Sequence, residues 1–429
     1  MSETVSSTNQ STTIVVRLRN RAALRTLMGL LVLLSVFDYP IFYVGAGDIG
    51  IFDLYLVFAF FVYLVFFRQT LPPRSWQAYF LFFAAYIMYM TLHLVLFVTT
   101  FSYLVILKTC ETLVELFLLV GYLHDPDTDH AGFSRLAKAI MVAMAVFQLM
   151  SHFNLTRFIG FPPGFGFGSW YRVGIPFSRG DSSSNPAGFV LATYLLVVLR
   201  DIVAHKRRSD FAVFGLLFLS LLLTVSRTNL IAFFVTLIIW AVLRAARRKN
   251  GLRIIVIVAA SVALLFVILV NAVPEGSGLW LFVKIIENPA NILSDGSFSI
   301  RYTIAWPASI QNWLRNETTF LFGNGVGYMG IVDGTVPRLL GNQGLIGLIL
   351  FSMTWYGFYV KKYRRNTILM MVLLLALING ITADTLISSY RSVQVFVVTL
   401  CLALFVDPLG RRDPDFGGGP TRSSTGQSP

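Results

Sequence analysis

Phe211 to Arg244 read FAVFGLLFLSLLLTVSRTNLIAFFVTLIIWAVLR. One apolar run ends at Val225, another begins at Leu230, and Ser226-Arg227-Thr228-Asn229 stand between them. The 16 residues between Arg227 and Arg244 span about 24 Å as helix, against a hydrocarbon core of about 30 Å. The stretch therefore reads as a transmembrane helical hairpin with Arg227 at its tip, below the outer membrane surface. A charge at mid-bilayer costs about 2.5–3.5 kcal/mol or more, so such an arginine either snorkels to the headgroups or faces a protein cavity and pairs there.

The rest of the chain fits that reading. Of 429 residues, 56% are hydrophobic and only 13% charged, with 38 Phe; mean hydropathy is +0.71. A soluble domain carries about 25% charge, so an ordinary globular protein is excluded. Cys110 and Cys401, the 2 cysteines, lie in apolar runs, which excludes a disulfide scaffold. Apolar runs at roughly 22–43, 49–67, 77–98, 101–122, 136–153, 187–204, 211–225, 229–243, 253–273, 339–360, 367–384 and 392–407 predict an all-α polytopic membrane protein of about 12 transmembrane helices. The basic start leads straight into the first run, and no cleavable signal peptide is read there. Residues 14–410 form one membrane domain, and the tails 1–13 and 411–429 read as disordered.

The formal charge of +13 resolves into topology. Arg17-Leu-Arg19-Asn-Arg21, Lys206-Arg207-Arg208, Arg247-Arg248-Lys249 and Lys361-Lys362-Tyr-Arg364-Arg365 fall at alternate loops. The positive-inside rule places those loops and both termini in the cytoplasm, and nucleic acid is not an expected partner. Lys108 lies in a run with Glu111 and Glu115, at spacings that put all three on one helical side and let them pair with each other. On the external face remain Arg157, Arg172, Arg179, Arg227, Lys284, Arg301, Arg315, Arg338 and Arg391.

Two external segments are long, 154–186 and 274–338; the other external turns read as tight. The first holds Gly160-Phe-Pro-Pro-Gly164-Phe-Gly166-Phe-Gly168-Ser-Trp170-Tyr171-Arg172, then Arg179-Gly180-Asp181. Alternating Gly and Phe cannot hold a helix, and Pro162-Pro163 enforces extended backbone. This is either a loop at headgroup level or a site where Trp170 and Tyr171 contact a sugar or lipid while Arg172 and Arg179 clamp an anion. Guanidinium forks bind phosphate bidentately. In the second segment, apolar positions from Ile300 to Leu314 approximate one helical face, so a surface helix kinked by Pro307 is expected. The Gly323-x-Gly325-x-Gly327 pattern has no βαβ context and is not a nucleotide loop. Asp333-Gly334 reads first as a turn, and Asp333 is also an external carboxylate available as a general base. His124-Asp125-Pro-Asp127-Thr-Asp129-His130 looks like a metal-ligand string but reads as a solvated cytoplasmic turn. No zinc pattern, Walker loop or nucleophile elbow occurs.

The order of these features resembles the O-antigen polymerase and ligase families, Wzy-like and WaaL-like integral membrane glycosyltransferases. The matching residues are Asn185-Pro186; Ser226-Arg227-Thr228; Arg301 with Trp306; Phe322-Gly-Asn-Gly325-Val-Gly327; and Asp333-Gly-Thr-Val-Pro-Arg-Leu-Leu-Gly-Asn-Gln-Gly344-Leu-Ile-Gly347. They span roughly residues 170–350; the N-terminal third matches only as a string of spans. The resemblance implies a metal-independent GT-C-like enzyme in the bacterial inner membrane, without cofactor. Its site would face the periplasm, and the two long periplasmic segments would contain short helices. It also implies that periplasmic arginines hold the undecaprenyl diphosphate of a lipid-linked oligosaccharide, which maps onto Arg172 or Arg179, Arg227 and Arg301, with Arg338 beside them. The ligase branch has a histidine in the segment entering the tenth span. All 5 His of this chain lie elsewhere and the aligned stretch carries Asp333, which favours a polymerase.

The expectation is thus a repeat-unit polymerase in which Arg227, Arg301 and Asp333 carry the chemistry. Its partners are the lipid-linked oligosaccharide, membrane lipid and a chain-length regulator. The rivals are an O-antigen ligase and, from another class, a 12-span transporter, which favours inverted repeats and broken mid-membrane helices.

Overall fold

The computed structural model describes residues 21–44, 47–67, 71–96, 102–153, 155, 165–167, 170–172, 176, 184–245, 299–325, 334–357, 359–360, 366–383, 386 and 389–406, with single positions at 256, 260, 284 and 288. The predicted run 253–273 and both predicted tails lie outside them, apart from the two single positions in that run. Every other predicted run is helical over most of its described length. The helices are α1 (21–36), α2 (Ile51–Phe66), α3 (Gln77–Leu96), α4 (Ser102–His124), α5 (His130–His152), α6 (Ser184–His205), α7 (Arg208–Leu223) and α8 (Arg227–Ala245). They continue with the short α9 (Trp306–Trp313) and α10 (Glu317–Phe322), then α11 (Thr335–Ser352), α12 (Thr367–Thr382) and α13 (Tyr390–Phe405). Among the described residues, 4 helices are long and apolar enough to cross a bilayer: Arg74–Leu96, His130–His152, Ser184–His205 and Thr335–Gly357.

Side-chain placement is that of a protein with an apolar exterior. On α3, Tyr79, Phe83, Tyr86, Met90 and His93 turn inward at spacings of three and four, while Leu81, Met88, Leu92 and Val95 are exposed. Helices α6 and α13 are buried on nearly every side and form the centre, with Phe189 against Phe396 at 5.2 Å.

Contacts sort the helix termini into two ends. At one end Arg21 pairs with Asp127 and Arg25 with Asp129 at 3.4 Å. Asp129 also caps α5 through the Gly132 amide at 2.7 Å. The acidic string between α4 and α5 thus anchors the start of α1. Lys138 sits between Asp201 at 2.9 Å and Asp210 at 2.7 Å, joining α5, α6 and α7. Arg200 donates to the carbonyls of Leu402 and Val406 at 3.0 and 2.5 Å, closing the C-terminus of α13. The opposite end gathers the starts of α2, α6, α8, α11 and α13.

The described residues depart from a simple string of helices at several points. The first run does not stay helical to residue 43: α1 stops at 36, and Pro40–Val44 pairs antiparallel with Gly47–Gly50 as β1 and β2. Pro40 has no amide to donate, and the flanking glycines suit a hairpin better than a helix, so this turn is not tight. In segment 154–186 the described residues include a second hairpin, β3 (Phe165–Phe167) with β4 (Trp170–Arg172), which the sequence reading did not anticipate. Aromatic residues favour the extended chain that the glycines permit. Pro307 falls in the first turn of α9, and the helical path leading into it widens into π register over Arg301–Ala305.

The tenth run is also not one helix. Gly344 stands at φ +66°, and the helical path of α11 breaks there. The break would strand carbonyls in a dry interior, where each unsatisfied polar group is costly. They are met from elsewhere. The Asn324 amide donates to Gly341 O at 3.0 Å and the Gly325 amide to Asn342 O at 2.9 Å. Tyr89 of α3 donates its hydroxyl to Gln343 O at 2.5 Å. Gly323, at φ +76°, lies so close that a Cβ there would stand 2.4 Å from the Asn342 carbonyl carbon. The Gly-Asn-Gly motif is therefore a backbone strap that seals a broken helix.

Gly344→Ala is expected to destabilise the protein by about 2 kcal/mol or more, from a strained φ and a Cβ 2.5 Å from Leu321 backbone. Gly215→Ala on α7, whose new methyl meets nothing within 4 Å, serves as the control and leaves stability unchanged or raised. Thermal unfolding in detergent micelles measures both; equal midpoints for the two variants would remove the break at Gly344.

Candidate functional site

The hairpin tip read from the sequence is built as follows. Helix α7 ends at Leu223, Val225 takes φ +53°, and α8 opens directly on Arg227. A β-branched residue at positive φ is strained by about 1–3 kcal/mol and persists only where its surroundings over-determine it. Here the surroundings are a buried hydrogen-bond network. Ser226 Oγ donates to Asn185 Oδ1 at 2.8 Å. Asn229 Nδ2 donates to Asn185 O at 2.8 Å and to Ser226 Oγ at 2.6 Å. Asn379 Nδ2, from the last turns of α12, donates to Asn229 Oδ1 at 2.7 Å. Thr224, Ser226, Asn229 and Asn379 are all buried. Gly188 of α6 makes room beneath them: a Cβ would lie 2.8 Å from Ser226 Cβ and 2.9 Å from Asn229 Nδ2.

The Ser-Arg-Thr-Asn stretch therefore divides its labour. Ser226 and Asn229 form the floor, and Arg227 and Thr228 are half-buried above it. Arg227 opens a helix whose amide dipoles already make its N-terminus positive, which is unfavourable for a resident cation and favourable for a bound anion.

The second long segment reaches the same floor through α12. Ser309 Oγ of α9 donates to Pro337 O at 2.6 Å, tying α9 to the first turn of α11. Gly334, at φ +121°, lies where a Cβ would meet Trp306 Nε1 and Ile381 O, each at 3.1 Å. Thr335 Oγ1 donates to Ala383 O at 3.3 Å, and the Ala383 amide donates to Asn379 O at 2.7 Å. An unbroken chain of contacts thus runs from Asn185 through Asn229 and Asn379 to Thr335 and Trp306. Tyr302 packs on Trp306 with ring centroids 4.5 Å apart.

Six of the eight site residues read from the sequence are among the described residues. Arg227, Arg301 and Arg338 are half-buried, at the start of α8, at the start of the π-turn and in the first turn of α11. Trp170, Tyr171 and Arg172 form β4, in register with Phe167, Gly166 and Phe165. Arg179 and Asp333 lie outside the described residues. Arg391 has a structural partner: it pairs with Asp38 at 3.6 Å and is 8% exposed. Asn379 was not singled out; the available signal was a polar Asn-Gly pair near the end of an otherwise apolar run. Among the described residues, no group of three or more His, Cys, Asp or Glu is placed to hold a metal ion.

Asn229→Ala and Asn379→Ala are each expected to cost about 1–3 kcal/mol by orphaning buried partners. A double-mutant cycle on thermal unfolding should give a coupling of about 0.5 kcal/mol or more, and strict additivity would remove the floor as a cooperative unit. No protein-family model matches the chain, and no curated protein matches it.

Proposed function

We propose that this protein is a polysaccharide repeat-unit polymerase of the O-antigen or exopolysaccharide kind. It moves a growing glycan from undecaprenyl diphosphate to a sugar hydroxyl of the next lipid-linked repeat. The observation that carries the reading is Arg227. It is a half-buried guanidinium opening α8 on a rigid floor of Ser226, Asn229, Asn185 and Asn379, at the end where Arg301 and Arg338 also stand. An anionic leaving group is what such an end suits.

In this reading the chain has about 12 spans in the bacterial inner membrane. Both termini are cytoplasmic and the site faces the periplasm. Diphosphate is already an activated leaving group, so neither nucleotide nor metal is needed. The acceptor hydroxyl oxygen attacks the anomeric carbon, the bond from that carbon to the diphosphate oxygen breaks, and the electron pair leaves on undecaprenyl diphosphate. Arg227, Arg301 and Arg172, with Arg179 and Arg338, neutralise that charge in a low-dielectric site. Asp333 takes the hydroxyl proton, and orientation of the two substrates supplies much of the rest. Trp170 and Tyr171 supply faces for a sugar or the lipid.

The break at Gly344 favours the transporter reading, because discontinuous helices line transporter binding sites. Its carbonyls, however, are occupied by the Asn324 and Gly325 amides and by Tyr89, not left to coordinate a substrate. We therefore keep the transferase reading. Arg227→Ala should lower polymer formation by about 100-fold or more while leaving membrane insertion intact. Arg227→Lys separates bidentate binding from bare charge and should rescue little. Normal polymer length in Arg227→Ala would overturn the assignment. In a deletion strain, single-repeat-capped core marks a lost polymerase and uncapped core marks a lost ligase.

A further inference from the structure

Away from that site, the interior holds more negative than positive charge. Asp38 stands just past α1, Asp53 in the first turn of α2, and Lys108, Glu111 and Glu115 follow one another on α4; Arg391 opens α13. All six side chains are buried. Arg391 and Asp38 pair at 3.6 Å, and Asp38 also caps the Phe52 amide at 2.9 Å. Lys108 Nζ lies 2.5 Å from Asp53 Oδ2 and 3.1 Å from Glu111 Oε2. Asp53 Oδ2 also accepts from the Gly50 amide at 2.7 Å. Four carboxyl groups thus share two cations. The expected pairing of Lys108 with Glu111 is present, yet Glu115 is left out of it.

Glu115 is fully buried, and neither of its oxygens has a hydrogen-bond partner among the described residues. A second, independent observation comes from another helix. Gln394 of α13 is 2% exposed, and its Oε1 likewise has no donor. Positions 391, 394, 398 and 401 form one stripe of α13. Arg391 at its top meets Asp38, an electrostatic neighbour of Lys108, and Cys401 lower down is an electrostatic neighbour of Glu115. Gln394 lies on that stripe between those two levels. Asp53 Oδ1, both Glu115 oxygens and Gln394 Oε1 are all acceptors, and acceptors cannot satisfy one another. The missing component is a donor. These oxygens do not converge as a metal-ion group among the described residues.

We propose that the array binds protons: Glu115 carries one, available to the Gln394 carbonyl, and Asp53 and Glu111 share another beside Lys108. Two protons bring four carboxyl groups and two cations to neutrality, as a buried, water-poor cluster requires. Neutral hydroxyls also pack on α4. From α2 comes Tyr63, against Phe117. From α3 comes Tyr86, at a cavity of about 30 Å³ that Tyr390, Thr109 and Thr112 also line. That space, against Thr109 and Thr112 of α4, is large enough for a water, since one water needs about 10–15 Å³. Glu115 lies 13 residues into α4, about 20 Å from its start. One turn above it, Glu111 pairs with Lys108 and Lys108 with Asp53. Asp38, bonded to the Phe52 amide next to Asp53, pairs with Arg391, which reaches the Pro176 carbonyl of the long external segment at 3.5 Å. This proposal does not depend on the glycosyl-transfer reading.

Infrared spectroscopy of the full-length protein in liposomes at neutral pH tests it. Wild type should show the carbonyl-stretching band of protonated carboxyl groups, shifting on transfer to D2O buffer. Glu115→Gln should lose about half of that band, one of the two groups proposed to carry a proton. Glu115→Asp, the conservative variant, should move it in frequency. Absence of the band in wild type overturns the proposal whatever the variants do. So does an unchanged band in either variant, or a wild-type band that stays unshifted in D2O.

Discussion

Polar groups removed from water must find partners inside the protein, and the architecture at one end of this molecule answers that constraint. A break in α11 frees the carbonyls of Gly341, Asn342 and Gln343, and two backbone amides and a tyrosine hydroxyl take them up. A strained Val225 turn exposes the top of α8, and Ser226, Asn229, Asn185 and Asn379 lock it. Both solutions draw on segments far apart in sequence. The irregular backbone is therefore rigid, and rigidity is what an anion-binding site needs to hold a guanidinium in one place.

The arginines outside the basic loops separate into kinds once their surroundings are known. Arg391 is 8% exposed against Asp38 and belongs to the interior. Arg227, Arg301 and Arg338 are half-buried near helix or π-turn starts. Positive helix ends and guanidinium groups of the second kind add to one another in attracting an anion.

The helices were legible in the sequence because long apolar runs have few other ways to exist, and Arg227 was legible because a charge in such a run is rare. The floor beneath it was only half legible. Ser226 and Asn229 lie beside the arginine, but Asn379 is 150 residues away from Asn229, and no local pattern joins them. The break at Gly344 was hidden for a related reason: glycines at 341, 344 and 347 are common in membrane helices, and only the strap at 323–325 shows which one bends. The two hairpins were missed because an apolar run reaching Val44 masks a strand, and because Phe-Gly alternation has no helical or amphipathic period to read. Asp333 and Arg179 stand on the sequence alone.

On the proposed function, this end of the protein accepts a lipid diphosphate and transfers the glycan it carries. The most direct measurement is incubation of the purified protein in liposomes with an undecaprenyl-diphosphate-linked oligosaccharide, without nucleotide or added metal, followed by sizing of the glycan. Lipid-linked chains longer than one repeat are expected, with release of undecaprenyl diphosphate. Movement of the substrate across the bilayer with no chain lengthening would contradict it.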